Sequence, residues 1–101
     1  MTEQTIYIQG VVFNETTRCT LSDLCRLCNV NTEMIHQMIA EGIISPEGQS
    51  EMEWRFTSLA IKRAQTTMRL HRDLEVNLPG CALILDLLDE LQELRCLSRR
   101  R

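Results

Sequence analysis

The stretch NVNTEMIHQMIAEGIISPEG, residues 29–48, decides how the chain is read. Asn31 is a residue type that caps a helix by accepting a free amide of the first turn. Behind it, Met34, Ile35, Met38 and Ile39 fall at spacings that make one buried stripe, while Glu33, His36, Gln37 and Glu41 point the other way. Gly42 is placed to end the helix in a left-handed conformation, and the Ile43-Ile44 pair follows before Pro46. Just upstream, Thr20 and Asp23 have the spacing of a capping box for a shorter helix beginning near Leu21, with Leu24, Cys25 and Cys28 on its apolar side. Two short helices joined by a few residues predict a helix-turn-helix over residues 20–44.

Outward from that unit, PEGQSE is turn-forming and MEWRFT alternates, with Met52, Trp54 and Phe56 on one side, so residues 45–57 are expected to form a wing with a return strand. TIYIQGVVFN predicts a strand or hairpin arm within residues 1–18, turning at Gly10. A third helix is expected over 58–74, its apolar set comprising Leu59, Ala60, Ile61, Ala64, Met68, Leu70 and Leu74. EVNLPG interrupts it, because Pro79 cannot donate the backbone bond of a continuing helix but suits the first turn of a new one, expected over 79–98. The expected fold is mainly α: one domain spanning 1–101, a winged helix-turn-helix with a small β-hairpin wing and a C-terminal helix.

A chain of 101 residues supports one modest core, and 44% apolar content is ordinary for a globular protein. No apolar run approaches the roughly 20 residues that span a bilayer, and the first residues lack the pattern of a signal peptide, so a cytoplasmic protein without membrane contact is expected. Five cysteines, an odd number, fit reduced thiols better than a disulfide framework. The net charge of −3 hides a division of sign: residues 1–54 hold eight acids against Arg18 and Arg26, whereas residues 55–101 hold nine basic residues against six acids. Between Arg26 and Arg55 there is no lysine or arginine.

That gap bears directly on function. Nucleic-acid readers of this build draw most of their affinity from cations and helix N-termini on phosphate. Here the second helix and the wing carry Glu33, Glu41, Glu47, Glu51 and Glu53, which repel a polyanion and suit a basic protein surface. Arg55, Lys62, Arg69 and Arg72 are the cations left for phosphate, and a DNA-binding transcriptional regulator is the alternative reading. A merely solvated acidic face is the plain alternative to both.

Other chemistry finds little support. Cys25-x-x-Cys28 lacks the second ligand pair of a closed zinc site, and the two thiols fit the apolar side of the first helix as small hydrophobes. No phosphate loop, nucleophile elbow or partnered histidine is present, so no catalytic residue, metal or cofactor is expected. His36 is read as a solvated helix residue and His71 as lying on or near the face of the third helix. On the last helix, Ile84, Leu87, Leu91 and Leu94 alternate by three and four as a dimer seam does, and Leu83, Leu85, Leu88 and Leu97 form a second stripe. One stripe can cover the core and the other needs a partner, hence an expected homodimer.

DLEVNLPGCALILDLLDELQELR, with GIISP, EWRF and RAQTTMRLHRDL before it, resembles the chaperone-modulator family, small MerR-like proteins. The resemblance runs from TLSDLCRLCNV to LRCLS. It implies a non-enzymatic protein that binds the J-domain of a DnaJ-like co-chaperone, curved-DNA-binding protein A, and inhibits both its stimulation of the Hsp70 ATPase and its DNA binding. Positions within the matching segments then become candidate partner contacts: Glu33, Glu41, Glu51 and Glu53 on the second helix and wing, and Asp86, Asp89, Glu90 and Glu93 on the last helix.

Overall fold

A computed structural model describes residues 6–8, 11–13 and 16–99, the first six by their backbone alone. Two short strands, β1 (Ile6–Ile8) and β2 (Val11–Phe13), pair antiparallel with Ile6 opposite Phe13. Gly10, the expected turn of that arm, lies outside the described residues. β3 (Arg18–Cys19) precedes α1 (Leu21–Cys28) and α2 (Thr32–Ala40), and β4 (Phe56–Thr57) leads into α3 (Ser58–Asp73) and α4 (Leu78–Arg99).

The local signals of residues 20–44 are realised atom by atom. Thr20 accepts the amide of Asp23 at 3.1 Å, and the Asp23 carboxylate accepts the amide of Thr20 at 3.2 Å, closing both halves of the box. Asn31 accepts the Met34 amide at 3.0 Å. α2 ends in a Schellman turn: Gly42, at φ 76°, donates to the Ile39 carbonyl and Ile43 to that of Met38. α1 ends the same way, with Asn29 at φ 56° supplying the left-handed residue.

The core gathers around Leu24, Ile35, Met38, Ile43, Phe56 and Ile61, all essentially without exposed surface. Cys19 and Phe56 enter it from the two-residue ladder that pairs β3 with β4, which ties the segment before α1 to the one before α3. From α4 only Leu78, Cys81 and Leu85 are buried, so the helix leaves the core after its second turn.

Several expectations need correction. Residues 51–53 form a single 3-10 turn, so Met52 is 92% exposed and does not share a side with Trp54 and the buried Phe56. The wing is closed by one bridge, the Glu47 and Arg55 amides each donating to the other's carbonyl at 2.9 Å, while its return strand pairs with β3. Leu59 on α3 and Leu74 just past its end face outward at 61% and 68% exposure. The second leucine stripe of α4 does not cover the core beyond Leu85: Leu83, Leu88 and Leu97 are exposed.

Candidate functional site: an acidic face on α2 and the wing

Glu33 in the first turn of α2 and Glu41 at its end are exposed, as are Glu51 and Glu53 on the 3-10 turn. The turn is fastened to α2 by His36, whose Nε2 lies 2.6 Å from Glu51 Oε1. The His36 ring also meets the edge of Trp54 at 5.7 Å between centroids, and Trp54 meets Phe56 in the same manner at 6.2 Å. His36 is therefore partly solvated, its side chain 43% exposed, while the ring stack and the bond to Glu51 hold it in place. Glu47 is held separately by Arg18, at 2.7 Å. Glu33, Glu41 and Glu53 have no ion-pair partner among the described residues.

The acids of α4 stand apart from these and divide between two environments. Arg63, only 15% exposed, places one guanidinium nitrogen 2.6 Å from Asp89 and another 3.8 Å from Asp86. The same side chain donates through Nε to the Ile43 carbonyl at 2.6 Å. Glu90 and Glu93 are exposed without an ion-pair partner among the described residues. The eight candidate acids thus stand on separate elements, and Arg63 bonds only Asp86 and Asp89 among them.

The cations that could have met phosphate are partly spent on structure. Arg72 donates to the carbonyls of Cys28 and Asn29 at 3.1 and 3.2 Å, covering the negative end of α1. Gln65 adds a bond to the Leu27 carbonyl there. Lys62 and Arg69 remain exposed on α3, and Arg55 beside the wing donates to the Trp54 carbonyl. Nothing in the sequence singles out Arg63 for this role, because its position 20 residues beyond Ile43 and 26 before Asp89 gives no local signal.

Burial raises the Cys28 thiol to about 11, helped by the neighbouring Cys19 and Cys25, and raises Cys19 to about 11 as well. Such thiols are protonated at neutral pH and are poor nucleophiles and poor ligands until deprotonated. Among the described residues no three His, Cys, Asp or Glu side chains gather as a metal site, and no helix is long and apolar enough to cross a membrane. His71 Nδ1 sits 3.0 Å from the Val76 carbonyl, bracing the link from α3 to α4.

A helix-turn-helix with this wing and two following helices defines the MerR class, and the family described as "MerR HTH family regulatory protein" matches residues 19–98. Relatives named "Chaperone modulatory protein CbpM" narrow the class. The one from Coxiella burnetii (strain Dugway 5J108-111) is 36% identical over 103 residues, 98% of this chain and 95% of its own. Those from Pseudomonas entomophila (strain L48) and Pseudomonas putida (strain W619) are each 35% identical over 72 residues, 71% of both chains. The chain belongs to this family of MerR-like chaperone modulatory proteins.

Proposed function

We propose that the protein is a non-enzymatic, cytoplasmic modulator that binds the J-domain of a DnaJ-like co-chaperone and so inhibits its stimulation of Hsp70 and its binding of DNA. The observation that carries this reading is the exposed acidic face of α2 and the wing, free of lysine and arginine from residue 27 to 54, in a chain whose relatives are named for chaperone modulation. Complementary charge speeds encounter with a cationic protein surface and disfavours a polyanion. Glu33, Glu41, Glu51 and Glu53 form the contact surface in this reading, with Asp86, Asp89, Glu90 and Glu93 as the second candidate surface. The protein acts as a homodimer through Ile84, Leu87, Leu91 and Leu94.

Titration calorimetry with a purified J-domain tests the reading. Reversing Glu33, Glu41, Glu51 and Glu53 to lysine is expected to weaken binding by at least about a hundredfold at low salt, with the difference shrinking at high salt. Reversing Glu90 and Glu93 should weaken it far less. If the fourfold variant binds as the unaltered protein does, the α2 and wing face is excluded. Salt-sensitive, sequence-selective capture of duplex DNA, with no response to the J-domain, would establish instead the DNA-binding regulator.

A further inference from the structure

Beside the acidic face lies a cleft of about 640 Å³ between the starts of α1 and α2 and the wing. Its apolar surface comes from Leu21, Met52 and Trp54, and the rest of the wall is polar apart from Cys25, with Glu51 and Arg55 as its charged residues. Met52 is the most exposed large apolar side chain among the described residues, held out on a three-residue turn between Glu51 and Glu53. A flexible thioether standing in water over an open apolar cleft, flanked by carboxylates, has the composition of a contact surface rather than of a solvated loop.

Two helices begin at the cleft, and helix starts by themselves favour anions. Both are already answered from within. Asp23 bonds the start of α1 through the capping box, and Glu33 stands in the first turn of α2, one residue beyond Thr32. Glu51 and Arg55 are the charged residues of the cleft wall, the Arg55 guanidinium being bonded to the Trp54 carbonyl. The exposed Glu33 and Glu53 follow the lining residues Thr32 and Met52 in the chain, while Arg26 beyond Cys25 is paired with Asp23. The surplus charge is negative.

We infer that this cleft takes an apolar side chain of a basic amphipathic helix, gripped by Met52 and Trp54 while the helix's cations meet Glu33, Glu51 and Glu53. This assignment rests on the reading that the partner is a J-domain and names where that partner docks. Trp54 is fixed by its stack between His36 and Phe56, so it offers a preformed wall; Met52 is free to close over whatever enters. The acids set orientation and rate of approach, and the apolar grip sets the lifetime of the complex.

The experiment compares Met52→Ser, which removes the exposed grip, and Ser22→Trp, which fills the cleft from an exposed position on α1, by calorimetry against a purified J-domain. Unchanged thermal unfolding of each variant establishes that the fold is intact. Both are expected to lose about tenfold in affinity, and equally at 0.1 and 0.5 M salt, because an apolar contact is not screened. If both bind as the unaltered protein does while the fourfold charge reversal abolishes binding, the cleft is empty in the complex and the inference falls, leaving the J-domain reading intact. If the unaltered protein itself does not bind the J-domain, that reading fails and the cleft assignment with it. A change in sedimentation of the variants alone, with J-domain affinity unchanged, would assign the cleft to a second copy of the chain and overturn the proposal.

Discussion

Single side chains decide how the parts of this small fold are joined. Arg63 is mostly buried on α3 and bonds the Ile43 carbonyl behind α2 and the Asp89 carboxylate of α4, so one guanidinium ties three helices. Hydrogen bonds involving a charged group contribute about 1.5–3 kcal/mol, and the 66% exposure of Asp89 puts its share at the low end. Arg63→Ala should therefore cost about 2 kcal/mol in urea unfolding. Arg63→Lys should recover little of it, because a single ammonium cannot reproduce the fork that reaches both acceptors. Asp23 gives a pH signature. The Thr20 amide lowers its pKa first, opposed by burial and assisted by the Thr20 hydroxyl and Arg26. A carboxyl depressed on folding contributes stability above its unfolded pKa and loses it as pH falls through the folded value. The stability difference between the protein and Asp23→Asn should thus be full at neutral pH, begin to fall near the ordinary carboxylate value of 3.8 and vanish only once pH lies below the lowered folded value, as urea midpoints down from pH 7 would read.

Among the elements, those with local signals were legible and those made by distant pairing were not. Asn31, Asn29 and Gly42 mark helix ends through side-chain chemistry and left-handed backbone that need no tertiary partner, and the structure places caps and stops at those residues. The wing shows the opposite case. Alternation in MEWRFT suggested a strand, yet the carboxylate of Glu51 finds His36 on α2 and the chain coils into a 3-10 turn, which turns Met52 out. Leu59 and Leu74 fit the period of α3 but face outward, because a periodic pattern does not reveal how wide the covered face is. The eight candidate contact acids are all exposed, while the division of the α4 set by Arg63 depends on contacts 26 residues apart. Gly48 holds the wing's geometry: its φ is 114°, and a Cβ there would lie 2.7 Å from the Glu53 carbonyl oxygen. Gly48→Ala should break the Glu47–Arg55 bridge at a local cost of about 1–3 kcal/mol. Hydrogen exchange should show the Glu47 and Arg55 amides opening far faster, with global unfolding moving less because few buried residues depend on the wing.

At the scale of the molecule the unfinished feature is α4. Its first two turns seat Leu78, Cys81 and Leu85 in the core, and the remaining 14 residues, 86–99, contribute no buried side chain, although those up to Arg95 still border a groove against α3. At 1.5 Å per residue that stretch is about 20 Å long, and it carries Leu87, Leu88, Leu91, Leu94 and Leu97 at 43–61% exposure. Five half-exposed leucines on one helix have the composition of a contact surface. Leu88 and Leu91 border the groove against α3 that Arg63 and Asp89 also line, and the proposed seam of Ile84, Leu87, Leu91 and Leu94 runs beside that groove with spacings of three, four and three. A second copy of the same helix satisfies such a seam with like against like. Introducing lysine at Leu91 and Leu94 places charge in the proposed interface without touching the core, so the monomer fold should survive with an unchanged circular dichroism spectrum. Sedimentation equilibrium should then show the unaltered protein at twice the monomer mass and the double variant as monomer, its self-association weakened at least about a hundredfold. Were the double variant to remain dimeric, or the unaltered protein to sediment as monomer at tens of micromolar, the proposed seam would fall, and a bound J-domain would be the alternative cover for these leucines. J-domain affinity measured on the same variant separates the two: loss of self-association with binding retained assigns α4 to the dimer and leaves recognition to α2 and the wing.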